Sequence, residues 1–150
     1  MGRRGDCYRR HLGHGDRGPD PYDQAYDAYQ HMGNLGVRST VPTIVFQGTD
    51  DSSVEPPNGK QAAIQAATTD YYVNSGGVDY SLDQADHTSG WDGKRYDRYE
   101  FKDGSGKVHA DLWRIDGLGH DWAGGWSGEF YTDPDAPEAT KHMFEFFGEW

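Results

Sequence analysis

At 150 residues the chain has the length of one ordinary domain, enough to bury a core if all of it folds together. Its net charge of −11 argues against a nucleic-acid backbone or an anionic membrane surface as partner, and it has no apolar run of about 18 residues to span a bilayer. The single cysteine, Cys7, excludes an internal disulfide. Hydrophobic residues are only 34% of the chain, while glycine reaches 21 residues and aromatics 14%. Burial must therefore lean on Tyr, Trp and Phe more than on Leu and Ile.

Residues 1–19 carry Arg3, Arg4, Arg9, Arg10 and Arg17, five of the nine arginines, and scarcely an apolar side chain. This composition predicts a disordered basic segment outside the domain. No apolar stretch follows its basic residues, so it does not read as a secretory signal. His11-x-x-His14 has metal-ligand spacing only on a helix, and Gly13 and Gly15 argue against one. Order is expected from Asp20, across a single domain 20–150. Asp20 caps a predicted helix, Pro21 suits its first position and Gly33 its end, with Tyr22, Ala25, Tyr26, Tyr29 and Met32 on one packing face.

"VPTIVFQG" is a continuous apolar run that predicts a strand covered on both faces, as in a parallel sheet. In "NGKQAAIQAATTDYY", Asn58 with Gln61 suggests a capping box, and Ile64, Ala67, Thr68 and Tyr71 form the inward stripe. Val73 to Arg95 is polar and turn-rich, and reads as a long loop or insertion anchored by Trp91. "RYDRYEF" and "VHADLWRI" flank "KDGSGK", a hairpin signal. The last segment, "DAPEATKHMFEFFGEW", predicts a helix starting near Pro137 with Thr140, Met143, Phe144 and Phe147 as its apolar face. Strand, helix, strands, helix gives an α/β layered fold.

Functional residues of open α/β sheets collect past the carboxyl ends of strands. Two such places exist here. After "TIVF" comes "QGTDDSSVEP", with Asp50 and Asp51; after "ADLWRID" comes "GLGHDWAGG", with His120. A carboxylate paired with an imidazole is two-thirds of a nucleophilic hydrolase site, because the carboxylate orients the ring and the ring shuttles the proton. On spacing alone, an Asp-rich turn after a strand is more usually turn and cap chemistry, and a lone histidine in a glycine loop is more usually just exposed.

"VPTIVFQGTDDSSVEPPNG" resembles the acid-residue segment of the α/β-hydrolase fold, closest to the polyhydroxybutyrate-depolymerase and feruloyl-esterase group. "GLGHDWAGG" is similar to that group's histidine loop, and "YTDPDAPEATKHMFEFF" to its closing segment, with Ala136 where glycine is usual. The likeness spans Asp20 to Trp150 with its motifs in the same order. It implies the carboxyl-terminal half of an α/β-hydrolase fold, with parallel strands plus a β-hairpin covered by helices. It also implies Asp51 as the acid, His120 as the base and a serine-type carboxylic ester hydrolase acting on a small-molecule or polymeric ester. Asp50 falls at a variable position, a solvated turn residue. Trp122 is expected to pack beside the histidine loop, with substrate contact as its second role, and Gly124 and Gly125 to turn the backbone.

The resemblance implies no cofactor or metal, and kinship alone suggests an extracellular location. The chain contains no Gly-x-Ser-x-Gly nucleophile segment. "GWSGE" lacks the second glycine and follows the histidine, and "DGSGK" lies in a hairpin turn. The expectation is therefore a carboxyl-terminal fragment whose partner is the missing N-terminal half, or a subunit completed by a separate serine-bearing chain. A rival reading from another class is an acidic secreted carbohydrate- or calcium-binding module, using Trp91, Trp113, Trp122 and Trp126 or the Asp-rich loops.

Overall fold

The computed structural model describes residues 20–36, 39–75 and 85–150. The expectations for residues 1–19, including His11 and His14, lie outside the described residues. Among the described residues, three helices and a four-stranded mixed sheet form an α/β arrangement: α1 Pro21–Asn34, β1 Thr43–Gly48, α2 Pro56–Ser75, β2 Asp86–Asp92, β3 Lys94–Lys102, β4 Val108–Ile115 and α3 Ala139–Gly148. Two short strands, β5 Trp122–Ala123 and β6 Thr132–Asp133, form a separate ladder before α3.

The sheet order is β1-β4-β3-β2. β1 runs parallel to β4, and β4, β3 and β2 are joined antiparallel. Among the described residues β1 pairs only with β4, so it forms one edge of the sheet. It is covered on both faces, Val45 packing on one side and Phe46 on the other, but its burial is only partial until Gln47 and Gly48, short of the full burial expected of a central strand. An edge strand has a neighbour on one side only, and its apolar side chains stay half-exposed for that reason.

Period-2 alternation sorts the sheet into two faces. Ala110, Leu112 and Phe101 bury against Ala63, Ile64 and Ala67 of α2, with Val45 packed on the cluster. The opposite face carries Phe46, Tyr96 and Ile115, packed with Leu118, Ala123, Ala136 and Ala139 at the start of α3. Trp113 stacks there on Phe46 and on His142 of α3. The two layers pack on β1 and β4 from both faces and so set where the carboxyl ends of both strands lie.

The helices are coded unequally. Asp20 caps α1 as expected, its Oδ1 accepting the Tyr22 backbone N–H at 2.9 Å. Asp20→Ala should cost about 1 kcal/mol, read as a lower urea midpoint with an unchanged slope. Tyr26 and Tyr29 pack on Tyr72 of α2, which accounts for the tyrosine face. α2 starts at Pro56, two residues before the expected capping box, and Asn58 Nδ2 donates to the Glu55 carbonyl instead of capping. Ile64, Ala67 and Thr68 are buried as expected, whereas Tyr71 is half-buried.

Two further expectations are corrected. Part of the supposed 73–95 loop is structured, as the end of α2 and as β2, and Trp91 is exposed rather than an anchor. "DHTSGWD" is polar with a glycine inside, so only its pairing with β3 makes it a strand. In α3 the buried positions are Ala139 and Phe146; Thr140, Met143, Phe144 and Phe147 instead line an open groove of about 580 Å³ with Trp122.

A β-bulge between Phe101 and Lys102 shifts the β3–β4 register, with Phe101 opposite Ala110 and Lys102 opposite Val108. The extra residue is His109, which the bulge turns onto the α2 side of the sheet. There its Nδ1 lies 3.2 Å from Asp70 Oδ2 of α2, and its Nε2 2.9 Å from Asp103 Oδ2 in the β3–β4 turn. This buried histidine ties helix, strand and turn together.

Candidate active site

Strand β1 ends at Gly48 and β4 at Ile115, side by side in parallel register. The loops that leave them are laced together by two backbone bonds and one to a side-chain hydroxyl. Thr49 N donates to the Ile115 carbonyl, Asp50 N to the Leu118 carbonyl, and Gly117 N to Thr49 Oγ1. The parallel pairing thus brings residues 69 positions apart into contact: His120 Nδ1 lies 2.9 Å from Asp51 Oδ2. A carboxylate oxygen is an acceptor, so Nδ1 carries the proton and the neutral ring presents its Nε2 as a base.

Asp51 is held from its other side as well. Its Oδ1 accepts the backbone N–H groups of Val54 at 2.8 Å and Ser53 at 2.9 Å. The Val54 N–H is the foremost influence that lowers the Asp51 pKa; burial opposes it, and the His120 ring adds to the lowering. The carboxylate is 9% exposed and the imidazole 56%, so a fixed acid supports a ring that is open to an incoming group. Among the described residues no side chain bonds Nε2 of His120.

Gly48 is required by this closeness. A Cβ there would collide with the Leu118 carbonyl oxygen and lie 2.8 Å from that of Gly119, both backbone atoms that cannot step aside. Gly48→Ala should therefore destabilise the fold by about 1–3 kcal/mol and push the two loops apart. The checks are a urea titration and loss of the Asp51–His120 imidazole proton in NMR spectra.

The remaining expected positions are also placed. Asp50 is exposed on its turn and accepts the neighbouring Thr49 hydroxyl, at 3.3 Å. Trp122 is 47% exposed and forms one wall of the α3 groove. Gly124 and Gly125 have φ of 82° and 98°, left-handed values that suit glycine where the chain turns back toward β6.

Sequence reasoning passed over Ser89, His87 and Asp97, which cluster on the β2–β3 hairpin. Ser89 Oγ lies 3.4 Å from His87 Nε2, but it donates to Asp97 Oδ1 at 2.5 Å, and the same Oδ1 is 3.1 Å from the same Nε2. A proton relay needs acid and serine on different ring nitrogens, and here both crowd one. Their (i, i+2) spacing on a polar strand was the available signal, since alternation puts His87 and Ser89 on one face.

Among the described residues, no group of three or more His, Cys, Asp or Glu side chains is placed to hold a metal ion, and no helix is long and apolar enough to cross a membrane. No family model matches the chain, and no curated protein matches it.

Proposed function

We propose that Asp51 and His120 are the acid and base of a serine-type carboxylic ester hydrolase, and that the nucleophilic serine comes from outside these 150 residues. The observation that carries the reading is the 2.9 Å Asp51–His120 bond, formed between two loops at the carboxyl ends of adjacent parallel strands. The family resemblance of the two loop motifs led to that pair from sequence alone. It also supplies the finer assignment: an α/β-hydrolase fold of the polyhydroxybutyrate-depolymerase and feruloyl-esterase type, exported from the cell and acting on a polymeric or small ester.

In this reading His120 Nε2 removes the serine hydroxyl proton as the oxygen attacks the ester carbonyl. The imidazolium so formed is stabilised by Asp51 through Nδ1–H, and its Nε2–H proton then passes to the departing alkoxide. Water repeats the sequence on the acyl-enzyme, with His120 again as base. Acid and base alone form no acyl-enzyme and offer no donors to the oxyanion.

The 150-residue chain by itself should therefore hydrolyse a short p-nitrophenyl ester no faster than its His120→Ala variant. Clear hydrolysis that His120→Ala abolishes would show that the chain needs no outside serine. The reading as a whole is tested by the coding sequence upstream. A Gly-x-Ser-x-Gly segment, in the same or a shifted frame, is expected there, and joining it to this chain should give an esterase dependent on both Asp51 and His120. Absence of such a segment, with no serine-bearing chain co-purifying, overturns it.

A further inference from the structure

The acid loop is closed by a residue that the proton relay does not touch. Gln47, the penultimate residue of β1, is only 5% exposed, and its side-chain amide turns back over the loop that follows it. One nitrogen, Nε2, donates to the Gly48 carbonyl at 3.1 Å and to the Val54 carbonyl at 3.1 Å. Those two carbonyls stand at the beginning and end of the 48–54 loop. Val54 is thereby gripped at both ends of its residue: its N–H bonds Asp51 Oδ1, and its C=O accepts from Gln47.

The amide has a seat prepared for it. Gly59, in the first turns of α2, is buried, and a Cβ added there would lie 2.7 Å from both Cβ and Oε1 of Gln47. The absence of a side chain at position 59 thus lets α2 press Gln47 onto the loop. Strand, loop and helix are locked through a single amide group.

We propose that Gln47 is a positioning residue for the acid–base pair: its amide clips the ends of the loop so that Asp51 Oδ2 is held at the His120 ring. The inference rests on the reading of Asp51 and His120 given above. An amide suits the task because one NH2 group has two protons for two carbonyls. Methionine fills a similar volume without a donor, leaving both carbonyls to find water or stay unpaired.

The test follows the His120 Nδ1–H proton by NMR in the full chain. A downfield imidazole proton is expected in the wild type and absent in Asp51→Asn. In Gln47→Met its exchange with water should quicken by about tenfold or more, the scale of one hydrogen bond's net worth. Gly59→Ala, which crowds the same amide from the helix side, should give a smaller acceleration and serves if Gln47→Met does not fold. Asp20→Ala, a loss of stability in a helix cap away from the loop, should leave the exchange unchanged, which separates positioning from general weakening.

Unaltered exchange in both Gln47→Met and Gly59→Ala, or equal acceleration in Asp20→Ala, overturns the role of Gln47 and leaves the acid–base pair standing. If the wild type lacks the bonded proton, the pair itself fails, and this inference falls with it.

Discussion

On the proposed acid–base reading, Asp51→Asn in a polypeptide that also supplies the serine should lower kcat for a p-nitrophenyl ester about 10⁴-fold while KM changes little. The size follows from what the carboxylate does at His120. In the proposed relay it fixes the proton on Nδ1 and would face the positive charge that the ring acquires in the transition state, an interaction absent when substrate merely binds. An asparagine in the same place can offer its amide N–H to Nδ1, which selects the tautomer with the proton on Nε2, where a base is needed. His120→Ala should cost at least as much, and the double variant little more than either alone, because the two act as one unit.

The pH response of Asp51 has a definite sign. Its pKa is lowered, chiefly by the Val54 N–H, so the carboxylate remains charged well into acid. The stability it contributes is present above the ordinary carboxylate range, and is lost only as pH falls through the lowered value. A wild-type acid transition that persists unchanged in Asp51→Asn would contradict this assignment.

The largest structural effect is expected from Arg98→Leu, at about 3–5 kcal/mol. Asp111 is 1% exposed in the middle of the sheet and accepts two bonds from Arg98 Nε and one from Nη2, between 2.8 and 3.1 Å. Trp113 Nε1 adds a fourth, at 3.0 Å. Removing the guanidinium strands a buried carboxylate with one neutral donor. Glu100, whose Oε1 lies 3.0 Å from the same guanidinium nitrogen, loses that partner too but keeps Lys102, 3.2 Å from its Oε2.

Urea denaturation of Arg98→Leu beside Arg98→Leu/Asp111→Leu separates the causes, since the double variant should recover most of the loss. Burial, the foremost influence on Asp111, pushes its pKa up even in the wild type. The folded state therefore holds that proton more firmly than the unfolded one, and stability falls as pH rises through the interval above the ordinary carboxylate value. Losing Arg98 deepens that slope, so the single variant should regain stability on acidification.

Legibility in the sequence followed the reach of the signals. The α1 cap was readable because Asp20, Pro21 and the first turn are adjacent in the chain. The β3–β4 hairpin was readable because Asp103-Gly104-Ser105-Gly106 is local turn chemistry, with Asp103 accepting from the Ser105 and Lys107 backbones. The pairing of Asp51 with His120 was reached through motif likeness and strand-end logic, since nothing local links residues so far apart. β2 was missed because its pattern is polar on both faces, and a strand of that kind is specified by its partner rather than by itself.

The inward face of α3 was misjudged for a different reason. Periodicity located an apolar stripe correctly but could not say which stripe meets the sheet: Phe146 and small Ala139 were chosen over Phe144 and Phe147. The buried Asp70–His109–Asp103 cluster was invisible because a bulge reverses the side to which His109 points, and no alternation rule anticipates an extra residue.

The rim of β1 that no described strand covers has a direction as well as a chemistry. Any further strand that joined it in the same sense as β4 would run toward the ends of β1 and β4, where Thr49 and Asp116 begin their loops. Its exit turn would then arrive at the end of the sheet that carries Asp51 and His120, whereas a strand laid in the reverse sense would deliver its exit turn to the far end. The polarity of an incoming segment thus decides, before any side chain is compared, at which end of the sheet its exit turn lies.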